Sequence, residues 1–207
     1  MARHELSQGE LSEHVATAVS ALKDGYVIVA PLEHSYALIA DAFFHDAVRA
    51  LHVLRGDALG VAAQVAIGNR DSIDGIARGI SADARKLMEN FWPGLLSLNL
   101  KPQAGLSWDL GDGNSLDQIS VRIPNSEFIL EVLKKSGPVA IASAALVGQS
   151  PINDARYFLF GLRSRRDLYG WQTSPGWRQY CHRSDRIPST NHTGRSDLTK
   201  RNHSART

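Results

Sequence analysis

The sequence predicts an α/β fold: one domain over residues 1–155, followed by a basic, irregular tail over 156–207. Three observations lead there. Apolar, β-branched runs alternate with stretches of helical period through the first 150 residues or so, the pattern of a sheet flanked by helices. Hydrophobic residues make up 43% of the 207 and charged residues 21%, a globular balance with enough chain for a real core. Charge and pattern then change together. Residues 1–155 hold 12 Lys+Arg against 18 Asp+Glu, net −6, whereas 156–207 hold 11 against 3, net +8. The pI near 8.8 therefore describes the tail rather than the body.

The elements follow in order. Leu11, Val15, Val19 and Leu22 share one face of a 3.6-residue period, Ser7 with Glu10 spells a capping box, and Gly25 is placed to end the helix. "YVIVAPL" (26–32) is a β-branched strand stopped at Pro31, and "YALIADAF" (36–43) is a second. "HDAVRALHVLRG" returns to helical spacing through Ala47, Ala50, Leu51 and Leu54, with Gly56 as its stop. "VAAQVAIG" (61–68) is nearly unbroken in apolarity, as a strand buried on both faces would be. Helical pieces near 71–79 and 82–91 precede "NFWPG", and "LLSLNL" (95–100) alternates as a strand. A loop rich in Gly, Asp, Asn and Ser leads to the strand "ISVRIP" (119–124). "SEFILEVLKKSG" is an amphipathic helix with lysines in its last turn. "PVAIASAAL" (138–146) is the last strand, and beyond 155 no period of two or 3.6 is sustained.

Several function classes fall away. No apolar run approaches the roughly 18 to 20 residues that span a bilayer, and the N-terminus lacks the apolar core of a secretory signal, so a cytoplasmic protein without a membrane role is expected. The single cysteine, Cys181, excludes an internal disulfide framework and a cysteine zinc site. No Gly-rich phosphate loop is present, and the eight histidines form no helical His-x-x-x-His pair. His34, His45 and His52 read as surface or loop-edge residues, "RGD" at 55–57 as coincidence, and Asp109 and Asp112 as a solvated loop without the spacing of a calcium site. Arg122, inside a β-run, is either a cleft residue clamping an anion or carboxylate or a solvent-facing arginine on an edge strand. The loss of pattern after 155 fits a phosphate-binding basic tail, an irregular end or a shifted reading frame.

Five stretches, taken in order, resemble the YrdC/YciO family of threonylcarbamoyl-AMP synthases across roughly residues 10–155. "PLEHSYAL" stands where the family has P-T-D-T-V-Y-G-L, keeping Pro31, Tyr36 and Leu38, with an acid at Glu33. "RGDA" stands at K-G-R-P, so Arg55 keeps a cation while Asp57 reverses one. "FWPGLLS" matches F-W-P-G-P-L-T with Ser97 at the threonine, and "VRIP" matches V-R-V-P through Arg122 and Pro124. "IASAALVG" falls on A-T-S-A-N-L-S-G, keeping Ser143 and Gly148, with Ala142, Ala145 and Val147 in place of Thr, Asn and Ser.

The resemblance implies a single YrdC-like domain: a twisted mixed sheet with flanking helices around a deep, positively charged cleft, a shape also associated with double-stranded RNA binding. It implies condensation of L-threonine, bicarbonate and ATP, with Mg2+, into threonylcarbamoyl-adenylate for tRNA modification. The substrate and nucleotide site would draw on Pro31, Glu33, Tyr36, Arg55, Ser97, Arg122 and Ser143. Arg55 and Arg122 would hold anionic groups, Ser97 and Ser143 would donate hydrogen bonds, and no catalytic residue or protein metal ligand is assigned. Asp57 places a negative charge where phosphates are expected, a change of several kcal/mol, and Leu32, Ala142 and Ala145 remove hydrogen-bonding groups. The resemblance therefore implies either a weakened synthase or an inactive paralogue that binds nucleotide, double-stranded RNA or tRNA-modification proteins.

Overall fold

The computed structural model describes residues 2–113, 115–153 and 178–181. In chain order the elements are β1 (Ala2–Glu5), α1 (Leu11–Lys23), β2 (Ile28–Pro31), β3 (Tyr36–Asp41), α2 (His45–Arg55), β4 (Gln64–Ala66) and α3 (Ile73–Ile76). Then come β5 (Ala77–Arg78), α4 (Ala82–Phe91), β6 (Leu98–Pro102), β7 (Ile119–Arg122), α5 (Glu127–Ser136), β8 (Val139–Ser143) and β9 (Arg178–Cys181). The strands form one mixed sheet in the order β1-β9-β2-β3-β8-β4-β7-β6-β5. The pairs β1–β9, β9–β2 and β4–β7 are parallel and the others antiparallel.

Each face of the sheet buries its own apolar cluster, because alternate residues of a strand point to opposite faces. Ile28, Ala30, Ile39, Ala66 and Ile141 face α1 and α5, which contribute Val15, Leu22, Phe128, Ile129 and Leu133. Val29, Leu38, Val65, Val121 and Ala140 face the other way, onto Val48, Leu51, Met88 and Trp92 of α2, α4 and the following turn. Truncating a fully buried Leu38 or Ile39 to alanine would cost about 2–5 kcal/mol.

Most elements lie where the periodicity put them, with instructive departures. The Ser7–Glu10 capping box does not form: Glu10 is the N-cap of α1 and makes no side-chain cap bond. The strand expected over 61–68 narrows to Gln64–Ala66, since Ala63 turns its N–H to the Leu110 carbonyl. The helix expected over 71–79 shortens to Ile73–Ile76, which contains Gly75, and the chain turns at Gly79 with φ +64°. The strand expected over 95–100 starts at Leu98, past the Trp92-Pro93-Gly94 turn. β9 lies inside the stretch read as an irregular tail; the rest of 156–207 lies outside the described residues. Among the described residues no helix is long and apolar enough to cross a membrane.

Candidate functional site

Register places the polar residues. Val139 and Ile141 of β8 belong to the α1–α5 face, so Ser143, two residues on, continues it. Ile141 is the register partner of Gln64, Ser143 of Ala37, and Arg122 of Ala66, two residues beyond Gln64. Gln64, Arg122 and Ser143 thus share one face, where a cavity of about 330 Å³ opens. Leu32 and Ser35 of the β2–β3 turn, His52 and Arg55 at the end of α2, and Asp57 and Val61–Ala63 complete its lining with Ala37, Ile141 and Ala142. The volume suits a small ligand, and the wall is evenly divided between apolar and polar or charged side chains.

The two arginines differ in what remains to them. Arg122 is the strand arginine, its side chain 9% exposed and paired with Glu33, itself 11% exposed. Nη1 donates to Glu33 Oε1 at 3.2 Å and to the Gly94 carbonyl at 3.4 Å, and Nη2 donates to Glu33 Oε2 at 3.2 Å. Asn125 N donates to Glu33 Oε1 at 2.7 Å as well. Both terminal nitrogens of Arg122 have partners inside the protein, so it is not a solvent-facing arginine, and the carboxylate it holds is the chain's own Glu33. Arg55 donates only its Nε, to Asp57 Oδ1 at 3.0 Å, and its side chain is 22% exposed. Its terminal guanidinium nitrogens stay open to the cavity.

Asp57 is more enclosed than its position after a helix suggested, at 3% side-chain exposure. Its second oxygen lies 2.8 Å from His52 Nδ1, and His52 Nε2 lies 2.7 Å from the Leu110 carbonyl. His52 is therefore not a loop-edge histidine. It ties the 105–117 loop to the cavity wall and separates the main cavity from a second of about 230 Å³ lined by His45, Arg49, Asp109 and Gly111. Gly111 permits the approach: at φ +100°, a Cβ there would sit 2.3 Å from His52 Nε2 and 2.7 Å from the Val61 carbonyl. Nothing in the sequence signals this, because the partners are 58 residues apart.

Of the seven expected site residues, Arg55, Arg122 and Ser143 line the cavity. Ser97 stands one hydrogen bond behind it: Gln64 Nε2 donates to Ser97 Oγ at 2.7 Å and to Ser120 Oγ at 3.2 Å. Glu33 stands behind Arg122. Pro31 and Tyr36 are not in the lining: Tyr36 is fully buried in the core, and the Pro31 carbonyl accepts from Ser126 Oγ at 3.3 Å. Gln64 is in the lining, and the sequence reading passed over it. Ser143 Oγ accepts from Ala145 N at 3.2 Å, and the Val147 N–H donates to the Arg55 carbonyl at 3.2 Å, binding the "SAALV" loop to the end of α2.

No three His, Cys, Asp or Glu residues converge as a metal site among the described residues. The carboxylates of Asp57 and Glu33 are already paired. The described residues' own groups therefore do not fit a magnesium cage. Asp109 Oδ1 accepts from Gly111 N, and Asp112 Oδ2 from Ser115 Oγ and Leu116 N, so both acids hold their own loop.

The family model Sua5/YciO/YrdC, described as "Telomere recombination", matches residues 20–169. The chain belongs to that family. The match spans both walls of the cavity and runs past residue 155. A Mycobacterium tuberculosis relative bearing the name "Putative threonylcarbamoyl-AMP synthase" is 35% identical over 144 residues, 70% of this chain and 65% of the relative. The chain thus spans under two thirds of that relative's length. The crystal structure of P. abyssi Sua5 complexed with L-threonine superposes with a TM-score of 0.69 at 22% identity, covering 86% of this chain and 48% of that one. E. coli YciO superposes at 0.66 and 18% identity, covering 86% and 81%. These likenesses show a Sua5/YciO/YrdC fold, in keeping with the mixed sheet described above.

Proposed function

We propose that the chain acts as a threonylcarbamoyl-AMP synthase of low turnover. It would condense L-threonine and bicarbonate with ATP to give threonylcarbamoyl-adenylate, pyrophosphate and water, supplying tRNA modification in the cytoplasm. The observation that carries this reading is the cavity: an arginine with open terminal nitrogens, a serine hydroxyl and an anchored amide converge in one small space. Condensation of this kind asks little of side chains as acids or bases and much of them as orienting groups. Arg55 would take an anionic group, Ser143 would donate its hydroxyl hydrogen, and the Glu33–Arg122 pair would hold β7 and the turn before Ser97 in place. Low turnover follows from Asp57, which engages Arg55 and weakens its pull on phosphate, and from the apolar surface at Leu32 and Ala142.

The test is pyrophosphate release that requires both threonine and bicarbonate, with Arg55→Ala as the control. A rate no greater than that control would overturn the proposal. The pairing of Asp57 with Arg55 favours a second reading, an inactive paralogue that binds nucleotide or double-stranded RNA without turnover. Binding to RNA that weakens steeply between two salt concentrations, without pyrophosphate release, would favour it.

A further inference from the structure

We infer that Gln64 is the specificity-determining residue of the cavity: its side-chain carbonyl receives the ammonium group of an amino-acid substrate. This rests on the reading of the cavity as an amino-acid site. Gln64 sits mid-sheet on β4, between β8 and β7, and faces the cavity from the floor. Its amide is fixed. Both hydrogens of Nε2 are engaged, by Ser97 Oγ at 2.7 Å and Ser120 Oγ at 3.2 Å, so the side chain cannot swing without losing both. Oε1 accepts from no group among the described residues. Nor is it enclosed, since the buried side-chain atoms without a partner belong to His4, Trp108, Asp112 and Arg122.

Charge bookkeeping of the lining selects the ligand group. Asp57 has one oxygen on Arg55 and the other beside His52. Glu33, behind the lining, is engaged by Arg122 and Asn125. Arg55 offers only donors, and Ser143 Oγ already accepts from a backbone N–H. Among the described residues, hydroxyls aside, Gln64 Oε1 is the side-chain oxygen of the lining that accepts from nothing within the protein. A zwitterion whose carboxylate meets Arg55 carries an ammonium that needs an acceptor, and an ammonium left unpaired in a half-enclosed cavity is costly. Gln64 supplies that acceptor. Ala142, in the same lining, adds no competing polar side chain.

The test is calorimetric titration of the full chain with L-threonine, N-acetyl-L-threonine, glycine and ATP, for the wild type, Gln64→Met and Gln64→Glu. Loss of one hydrogen bond to a charged group predicts L-threonine binding weakened about tenfold or more in Gln64→Met. Gln64→Glu keeps or tightens it, because the serine hydroxyls, which accept from the Gln64 amide, can turn to donate to a carboxylate that adds charge for the ammonium. N-acetyl-L-threonine binds the wild type and Gln64→Met alike, and ATP binds all three within about twofold, a difference worth under about 0.5 kcal/mol. Threonine binding unchanged in Gln64→Met overturns the inference while leaving the proposed function standing. Equal losses in both variants overturn it too, by reducing Gln64 to packing. Gln64-dependent binding of glycine without threonine upholds it and removes the threonine reading. A wild type that binds no amino acid overturns both.

Discussion

The two arginine–carboxylate pairs of the cavity share their chemistry and differ in what they leave over. At the Arg122 end, guanidinium and carboxylate meet through both terminal nitrogens, nearly sealed from water. At the Arg55 end, only Nε is engaged, the side chain is more than twice as exposed, and the carboxylate turns its other oxygen to a histidine. An arginine on a central strand must be paired to be tolerated at all, and the partner that makes it tolerable takes it away from ligands. An arginine at a helix end, 22% exposed, can be held by one nitrogen and keep the others. The first pair therefore belongs to the architecture of the cleft and the second to its binding surface.

Breaking the buried pair is expected to give the largest effect. Glu33→Ala leaves Arg122 with the Gly94 carbonyl alone, and removal of one partner of a buried ion pair costs about 3–5 kcal/mol. A fall of that order in the unfolding free energy, read from a lowered urea midpoint, is expected, while pyrophosphate affinity, measured where the variant is still folded, stays close to wild type. A variant of unchanged stability but lost pyrophosphate binding would assign Arg122 to the ligand and erase the contrast.

Gly111→Ala probes the other end. The methyl would meet His52 and the Val61 carbonyl inside contact distance at a φ that side chains avoid, at a cost of about 1–3 kcal/mol. The damage should stay local: amide exchange quickens across 105–117 and the end of α2, and α1, α5 and β7 keep their protection. Exchange that quickens uniformly would show the loop to be part of the global core.

Arg55→Ala should separate binding from stability. Asp57, 3% exposed, retains its contact with His52, so a loss of about 1–3 kcal/mol is expected, below that of Glu33→Ala. Pyrophosphate affinity, by contrast, should fall about tenfold or more, since an open guanidinium is removed from a half-enclosed site. Arg122→Lys is the matching control, with binding held near wild type. Equal binding losses in the two variants would make both arginines ligand groups.

What the sequence disclosed follows the range of the interactions. α1, α2, α4 and α5 carry their signals within one or two turns, as apolar period and stop residues, and all were legible. Gly56 ends α2 in the left-handed conformation, as its place implied. Among the described residues β9 pairs with β1 and β2 across some 150 residues or more, and nothing local announces β1 or β9. Arg122 could be suspected from a charge in a β-run, but its carboxylate partner lies 89 residues away, and only the fold chose between its two readings. Gln64 sits in a run so apolar that its polarity looked incidental, and its meaning lies in Ser97 and Ser120 on neighbouring chain segments. His52 reads as a surface or loop-edge residue for the same reason, since its Leu110 partner lies 58 residues away.

A third pair of the same chemistry sets the lower bound of the comparison. Arg85 Nη1 and Nη2 reach Asp74 Oδ2 and Oδ1 at 3.3 and 2.7 Å, a two-pronged geometry like that of Arg122 with Glu33, but 47% and 62% of the two side chains face water. The hydrogen bond from Arg85 holds the Asp74 carboxyl below the usual aspartate value of 3.8, and the same bond raises Arg85. A carboxyl depressed in the folded state contributes stability at pH values above 3.8, and loses it as the pH falls through its lowered folded value. Asp74→Asn should therefore lower the melting temperature slightly near pH 7, by less than any variant above. The difference should shrink on acidification and fade in high salt, since exposed pairs are screened. A gap that widened as the pH fell would reverse the sign of the interaction. A gap as large as that of Glu33→Ala would mean that geometry alone, without burial, decides what an arginine–carboxylate pair is worth in this fold.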